Sequence, residues 1–227
     1  MNKLIHGNCA VELKKLPARS IDLVCTDPPY IVAARGAGIA GRRRYLKDIT
    51  ARRLDHGFDL SLLDQFLRVL KTPNIIIFCS RLQLRDYLNW AQDADLKWAL
   101  ICWHKTNPTP LTNNNYLPDT EYILHFWRNR KLGGRYQTKR RFYVQANERH
   151  KLEHPTVKPL NIVMNLIENA TDPGDVILDP FLGSGTTAVA AKILGRQFVG
   201  IECVSQYVDL ARGRIAASVR GADLRVA

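Results

Sequence analysis

The sequence lacks any run of eighteen apolar residues, and its first stretch, MNKLIHGNCAVELKKLP, has no apolar core of the kind that signal peptides contain. We therefore expect a soluble, intracellular protein with no membrane partner. Its five cysteines are scattered and odd in number, so they indicate neither a disulfide framework nor a metal site. Repeats and low-complexity tracts are also missing, and 227 residues with 46% hydrophobic content predict a single domain over residues 1–227.

The formal net charge of +12 is concentrated in two segments of the chain. Residues 35–53 carry seven basic side chains and one acidic, and residues 128–151 carry nine basic and one acidic, so the rest of the chain is close to neutral. Aromatic side chains are interleaved with the second basic segment. This pattern favours a surface that follows phosphate groups, although two solvated loops kept basic for solubility would give the same composition.

Short apolar runs alternate with helical patterns along most of the chain. Nearly continuous apolar runs are typical of strands covered on both faces, and they predict strands at 21–26, 74–80, 98–103, 121–126, 175–179 and 197–202. Helical periodicity predicts helices at 8–17, 60–71, 159–170, 187–195 and 205–219. This alternation predicts a Rossmann-like, doubly wound α/β fold with a mostly parallel sheet.

The segment DPFLGSGTT, which begins at Asp179, places a glycine-rich turn between a predicted strand and a predicted helix. Gly183, Gly185 and Ala188 fit the spacing G-x-G-x-x-G/A, and Glu202 ends the next predicted strand, where a carboxylate can bind ribose hydroxyls. No Gly-Lys-Ser/Thr follows, so the turn is not a P-loop. A purely structural turn is the alternative. Asp179 stands where a pyrophosphate would lie, and its charge favours a cationic cofactor such as S-adenosylmethionine over a dinucleotide.

A second turn, TDPPY, closes the first predicted core strand. Its two prolines remove backbone donors and leave neighbouring carbonyls free to accept hydrogen bonds. Asp27 adds a carboxylate acceptor, and Tyr30 adds a flat aromatic face. These groups together describe a receptor for a planar group that bears an NH₂, with a rigid strand-end turn as the alternative. Because ligands bind at the carboxyl edge of parallel sheets, the position favours the functional interpretation.

Three motifs carry a family resemblance: DPPY at 27–30, HPTVKP at 154–159 and DPFLGSGTT at 179–187, followed by GIE. The chain resembles the DNA amino-methyltransferases, within the beta class, in which the target-amine motif precedes the cofactor motif. The resemblance covers essentially the whole chain, and 31–57 and 128–150 match least. In peptide-glutamine methyltransferases, which use a similar Pro-Pro-Tyr turn, the glycine motif comes first.

The resemblance implies an enzyme that uses S-adenosylmethionine as methyl donor and double-stranded DNA as substrate, in the cytoplasm of a bacterium or of the host of a phage that encodes it. The target base would be flipped out of the duplex and stacked on Tyr30. Its amine would be held by Asp27 and by the carbonyl of Pro28 or Pro29. Asp27 in place of serine favours N6 of adenine over N4 of cytosine. Transfer would rest on positioning and electrostatics, without a covalent intermediate.

The same resemblance implies the cofactor contacts. Thr156 and Lys158 would bind the methionine carboxylate, Asp179 and the turn after it the amino-acid end, and Glu202 the ribose. Asn8 departs from the family, which usually has Asp there, but an amide can both donate and accept. The candidate cofactor-binding residues are Asn8, Thr156, Lys158, Asp179, Phe181, Gly183, Ser184, Gly185, Thr186, Glu202 and Cys203.

For DNA binding, the resemblance leaves two segments to interpret. Residues 31–57 form a basic loop after the catalytic motif, and 128–150 are the candidate target-recognition insertion, with Arg, Lys, Asn and Gln available for base edges. The first segment is expected to hold phosphates. The candidate DNA-binding residues are Arg42, Arg43, Arg44, Arg135, Lys139, Arg140 and Arg141. A homodimer is left open as the assembly.

Three alternatives stay open at this point. A cytosine-N4 methyltransferase would share the fold and the motifs. A DNA-binding protein on an inactive methyltransferase scaffold predicts damaged motifs, whereas DPPY, the glycines and Glu202 are intact. A nicotinamide oxidoreductase is disfavoured by the DPPY turn and by the basic segments.

Overall fold

The structure is a computed structural model that describes residues 2–30, 57–108, 116–147 and 157–218. These residues form one eight-stranded sheet with helices packed on it. The strands are β1 (Lys3–His6), β2 (Leu23–Thr26), β3 (Asn74–Cys79), β4 (Lys97–His104), β5 (Thr120–Trp127), β6 (Phe142–Val144), β7 (Val176–Asp179) and β8 (Gln197–Glu202). The helices are α1 (Cys9–Lys15), α2 (Ser61–Val69), α3 (Leu84–Asp93), α4 (Leu160–Ala170), α5 (Thr186–Ile193) and α6 (Ser205–Ala217), with a 3₁₀ turn at Tyr136–Thr138.

The sheet confirms the prediction of a doubly wound, mostly parallel α/β fold. Its strand order is β1-β8-β7-β2-β3-β5-β4-β6. The pairs β1–β8, β8–β7, β7–β2, β2–β3 and β4–β6 are parallel, and only β5 runs against its two neighbours in the described sheet. Strands β2, β3, β7 and β8 are almost wholly buried, which explains why their sequences are continuous apolar runs.

The helices cover both faces of the sheet. On one face, α1, α2 and α3 pack buried side chains such as Leu13, Phe66 and Tyr87 against the strands. On the other face, α4, α5 and α6 contribute a second core that includes Ile167 and Ala211. Helices α2 and α4 bury one apolar side, whereas six consecutive residues of α5 are buried, and the sheet contributes side chains to both cores.

Two strands and one α-helix were not predicted from the sequence. The four-residue strand β1 and the three-residue strand β6 lie at the two edges of the sheet and are too short to show a period. Helix α3 has many polar residues, but Leu84, Tyr87, Leu88 and Ala91 have the i, i+3, i+4, i+7 spacing of an amphipathic helix. That spacing could have revealed it.

In the described residues, no helix is both long and apolar enough to cross a membrane.

Most of the functional motifs lie along one border of the sheet, the one formed by the ends of its strands and not by the outer strands β1 and β6. We call this border the site edge. The carboxyl ends of β2, β7 and β8 meet there because these strands are parallel neighbours. Strand β5 is antiparallel to β3, and Tyr122 pairs with Cys79, so the beginning of β5 lies at the same edge. The site edge therefore receives residues from the ends of parallel strands and from the start of an antiparallel one.

Candidate active site

The catalytic turn, Asp27 to Tyr30, follows β2 directly at the site edge. The last residue of β2, Thr26, donates a hydrogen bond of 2.7 Å from its hydroxyl to Oδ1 of Asp179, at the end of β7. The two predicted ligand-binding turns thus begin on adjacent strands and are joined by a buried hydrogen bond. This places the proposed base receptor beside the glycine-rich turn, as the sequence predicted.

The Asp27 carboxylate is held on one side only. Its Oδ2 lies 2.6 Å from Nζ of Lys158, while its buried Oδ1 has no hydrogen-bond partner among the described residues. Burial raises the pKa of Asp27, and the Lys158 ammonium works against that rise. A buried carboxylate oxygen without a donor is costly, so Oδ1 is suited to accept an N–H from a ligand.

Lys158 lies against the catalytic turn. Its buried ammonium contacts Oδ2 of Asp27 and, at 2.8 Å, Oε1 of Glu121. These two carboxylates hold the pKa of Lys158 above its usual value despite burial. The sequence-based expectation placed this ammonium on the methionine carboxylate of the cofactor. The contacts that the structure describes are with two carboxylates of the protein itself, and the contact with the cofactor stays a prediction.

Glu121, the second residue of β5, was not anticipated as a site residue. Its Oε1 accepts a 2.5 Å hydrogen bond from the Tyr30 hydroxyl as well as the Lys158 contact, and its Oε2 lies 2.7 Å from Nζ of Lys105. The two lysines lower the pKa of Glu121 to about 2, although burial opposes this. An acid at the head of the apolar run EYILHF was the available sequence signal.

The second proline of the catalytic turn is bonded to the rest of the protein through its carbonyl. The Pro29 carbonyl accepts a hydrogen bond of 3.3 Å from the side-chain amide of Gln83. That amide also donates to the Tyr87 hydroxyl at 3.0 Å, so Gln83 ties the catalytic turn to α3. The Pro29 carbonyl therefore already has one protein donor.

The glycine-rich turn has the backbone conformation that its glycines require. Gly183 and Gly185 have φ values of 53° and 86°, and a Cβ on Gly185 would lie 3.0 Å from Cβ of Ala211. Glu202 braces this turn: its Oε2 accepts from the Gly183 N–H at 2.8 Å and its Oε1 from the Val204 N–H at 2.8 Å. The predicted ribose-binding carboxylate therefore stands at the turn and also stabilises it.

Asp179 is buried at the carboxyl end of β7. Its Oδ1 accepts from the Thr26 hydroxyl and, at 3.1 Å, from the Phe181 N–H. Burial raises the pKa of Asp179 to about 7. A nearby cation would restore the charge of this carboxyl, which matches the sequence argument for a cationic cofactor.

Two hydroxyls of the glycine-rich turn face the protein. Arg214 on α6 donates from Nη1 to the Ser184 carbonyl and hydroxyl, both at 2.7 Å, and to the Thr186 hydroxyl at 3.2 Å. From the sequence, Ser184 and Thr186 are predicted to be cofactor-binding residues. Their side chains are buried and bonded to Arg214, which leaves the backbone of the turn as the surface that they can offer to a cofactor.

Asn8 and Cys203 lie near the end of the sheet where β1 pairs with β8. Asn8 caps α1, because its Oδ1 accepts the Ala10 N–H at 2.9 Å. The Cys203 carbonyl accepts a 3.2 Å hydrogen bond from Nε2 of His6, and its side chain is exposed. The departure from Asp to Asn at position 8 therefore keeps a capping residue at this position.

The expected DNA-binding residues are divided by the structure. Lys139, Arg140 and Arg141 have exposed side chains that precede β6. Arg135 instead pairs with Glu168 near the end of α4, with 3.1 Å between Nε and Oε1, and α4 ends at the sheet edge opposite the site edge. This position separates Arg135 from the catalytic turn. Thr156 and the three basic residues Arg42, Arg43 and Arg44 lie outside the described residues.

A metal centre finds no support in the described ranges, which contain no group of three or more His, Cys, Asp and Glu placed to hold an ion.

A family model described as DNA methylase matches residues 21–213. The chain belongs to this DNA methylase family. The methylase is 31% identical to the type II methyltransferase M2.DpnII of Streptococcus pneumoniae, over 94% of its own length and 89% of the relative's. It is 28% identical to the type II methyltransferase M.HinfI of Haemophilus influenzae, over 95% and 68% of the two lengths.

A solved structure gives the same result for the fold. The complex of M1.HpyAVI with S-adenosylmethionine superposes on the methylase with a TM-score of 0.71, at 25% identity, and the match covers 94% of this chain and all of that one. Membership in the family confirms the amino-methyltransferase resemblance that the three motifs indicated. The family model covers adenine-N6 and cytosine-N4 methyltransferases together, so membership in the family does not identify the target base.

Proposed function

We propose that this methylase transfers a methyl group from S-adenosylmethionine to the exocyclic N6 amine of an adenine in double-stranded DNA. The observation that carries the proposal is the Asp27 carboxylate, whose Oδ1 has no hydrogen-bond partner among the described residues and which belongs to the same short turn as the Tyr30 ring. An aromatic amine supplies both the N–H donor that the oxygen lacks and a planar ring that can stack on a tyrosine.

The two N–H bonds of the target amine would be accepted by Asp27 and by the Pro28 carbonyl. The Pro29 carbonyl is the weaker choice because Gln83 already donates to it. Two acceptors in the base plane draw the nitrogen lone pair out of conjugation and leave it directed away from the plane. The protein contributes positioning and a charged acceptor, which together can supply several kcal/mol of barrier lowering, on the order of 7–11 kcal/mol for ideal positioning.

The cofactor pocket would be formed by the glycine-rich turn and two buried acids. S-Adenosylmethionine supplies an electrophilic methyl group on a cationic sulfonium, together with a cationic ammonium. Asp179 offers a carboxyl whose charge a cation would favour, since burial raises its pKa to about 7 despite the hydrogen bonds that work against this rise. Glu202 accepts a hydrogen bond from the Gly183 N–H of the turn and lies at the end of β8, where the ribose of a nucleoside binds in folds of this kind.

The DNA would approach the site edge, with its phosphates contacted by exposed basic side chains. Lys139, Arg140 and Arg141 stay in this proposal, together with the three arginines Arg42, Arg43 and Arg44. Arg135 is left out because Glu168 already pairs with it away from the catalytic turn. The cytoplasm is the proposed location, where DNA and the methyl donor are both available.

The test is the transfer of labelled methyl from S-adenosylmethionine to unmethylated plasmid DNA, followed by nucleoside analysis. Wild type should yield N6-methyladenine, and Asp27→Ala should reduce the yield at least a thousandfold while it still binds the cofactor. Asp86→Asn serves as the matched control, because Asp86 is an acid on α3 that makes no contact with Asp27 or Tyr30 in the described structure.

Two results would change the proposal. N4-Methylcytosine in place of N6-methyladenine would retain the enzyme and replace its target base. No incorporation by folded wild type that binds both DNA and cofactor would overturn the catalytic assignment and favour a DNA-binding protein on the same scaffold.

A further inference from the structure

A group of four ionisable side chains, two buried and two partly buried, lies at the catalytic turn, and we call it the charge cluster. It consists of Asp27, Lys158, Glu121 and Lys105, joined in that order by contacts of 2.6, 2.8 and 2.7 Å. Two carboxylates and two ammonium groups make it formally neutral. Tyr30 joins the cluster through its hydroxyl.

Glu121 occupies the centre of this arrangement. It is 7% exposed, and its two oxygens receive Tyr30 and Lys158 on Oε1 and Lys105 on Oε2. Burial of a carboxylate costs several kcal/mol unless hydrogen bonds and opposite charges offset it. For Glu121, this compensation comes from Tyr30, Lys158 and Lys105, and Tyr30 belongs to the catalytic turn. The position of Glu121 and the geometry of the catalytic turn therefore depend on each other.

The location of Glu121 follows from the sheet topology. Strand β5 is antiparallel to β3, so the second residue of β5 comes to the site edge beside Cys79, while the rest of the strand runs away from it. The Lys158 ammonium lies 5.1 Å from the centroid of the Tyr30 ring, and it reaches Asp27 with the same atom. A single carboxylate is therefore connected to both the stacking ring and the amine acceptor.

We propose that Glu121 is a positioning residue for methyl transfer, which fixes the Tyr30 ring through its hydroxyl and the Asp27 carboxylate through Lys158. This inference rests on the proposed function, because it concerns the same reaction. Among the described residues, Glu121 makes no hydrogen bond or ion pair with the glycine-rich turn, which is held by Glu202 and Arg214. Its removal should therefore reduce the rate of methyl transfer and leave cofactor binding intact.

The test compares Glu121→Gln with wild type in the plasmid methylation assay. The amide keeps the shape and one acceptor oxygen, but it loses the charge and presents an NH₂ toward one of the cationic neighbours. We expect kcat to fall at least tenfold, with the Kd of S-adenosylmethionine, measured by titration, within twofold of wild type. Asp119→Asn is the matched control: this half-buried acid pairs with His104, and it should keep wild-type kcat.

A charge-compensated double variant separates positioning from general damage to the fold. Lys105→Met combined with Glu121→Gln restores the neutrality of the charge cluster and removes the cation that would face the amide. Rescue of at least threefold in kcat relative to Glu121→Gln is the expected result. A purely structural role of Glu121 predicts no rescue, because two substitutions would remove more packing than one.

The outcomes can be told apart. Wild type that fails to methylate DNA defeats the proposed function itself. Active wild type together with unchanged kcat in Glu121→Gln overturns the positioning role alone, as does a loss that is matched by weaker cofactor binding or that the double variant deepens. If Glu121→Gln does not fold, Tyr30→Phe and Lys105→Met remove its hydrogen bond and its outer ion pair one at a time, and wild-type kcat in both would overturn the inference.

Discussion

Lys158→Met removes a buried ammonium from between two carboxylates. The Lys158 side chain is 9% exposed, and its Nζ lies 2.6 Å from Asp27 and 2.8 Å from Glu121. Loss of one partner from a buried ion pair costs about 3–5 kcal/mol, because the remaining charge is left uncompensated. For a protein of this size, a loss of about 3–5 kcal/mol in the free energy of unfolding corresponds to a fall in Tm of about 6–20 °C.

The loss of stability should depend on pH, and its sign follows from Asp27. Burial already raises the pKa of Asp27, and without Lys158 this pKa rises further. Above that raised pKa, the variant carries the full cost of an ionised buried carboxylate. As pH falls through it, Asp27 takes up a proton and the cost shrinks. The stability difference between wild type and Lys158→Met is therefore largest in alkaline solution and decreases toward acid.

Urea unfolding, followed by circular dichroism at pH 8 and at pH 5, measures this difference. Lys71→Met is the control, since Lys71 makes a similar 2.8 Å contact with Asp22 but is half exposed, so its removal should cost less than about 1 kcal/mol. A deficit below about 1 kcal/mol for Lys158→Met at pH 8 would refute the reasoning. So would an unchanged stability with a large loss of cofactor affinity, the result expected if Lys158 held the methionine carboxylate.

Three further predictions concern other parts of the molecule. Gly185→Ala places a Cβ 3.0 Å from Ala211 at a φ of 86°, whereas Gly195→Ala has a similar φ of 73° but no atom within 4 Å of the new Cβ. Thermal unfolding should therefore show Gly185→Ala to be less stable than Gly195→Ala by at least about 1 kcal/mol. Arg214→Met removes three hydrogen bonds to the glycine-rich turn and should weaken cofactor binding about tenfold in a titration with kcat nearly unchanged, and an unaltered Kd would contradict this. Burial lowers the pKa of His125 to about 4 from its ordinary 6.5, so the unfolded chain takes up this proton before the folded protein does. As the pH falls between those two values, the free energy of unfolding should decrease by about 3 kcal/mol, and His125→Gln should show a smaller decrease in acid unfolding curves.

The parts of the site that follow parallel strands could be predicted from the sequence. Asp27, Asp179 and Glu202 each come directly after or at the end of a continuous apolar run, and parallel strands bring their carboxyl ends to one edge. The glycine spacing likewise announced a turn before a helix, and the structure has left-handed φ values at Gly183 and Gly185. These features depend on local sequence and on one rule of sheet topology.

The remaining features depend on contacts between distant residues. Glu121 reaches the catalytic turn only because β5 is antiparallel, a direction that the apolar run EYILHF does not reveal. Arg214 contacts Ser184 because α6 packs beside α5, and no local pattern marks it. Arg135 belongs to a basic segment that looks uniform in sequence, yet its neighbour in space, Glu168, comes from a helix 33 residues later.

The central claim is that the carboxylate of Asp27 accepts a hydrogen bond from the exocyclic amine of a flipped adenine. Its most direct test is mass spectrometry of nucleosides from plasmid DNA, isolated from methylation-deficient cells that express either wild type or Asp27→Ala at equal levels. The claim predicts N6-methyladenine with wild type and none above background with the variant. N6-Methyladenine at equal levels in both samples, or in neither, would contradict it.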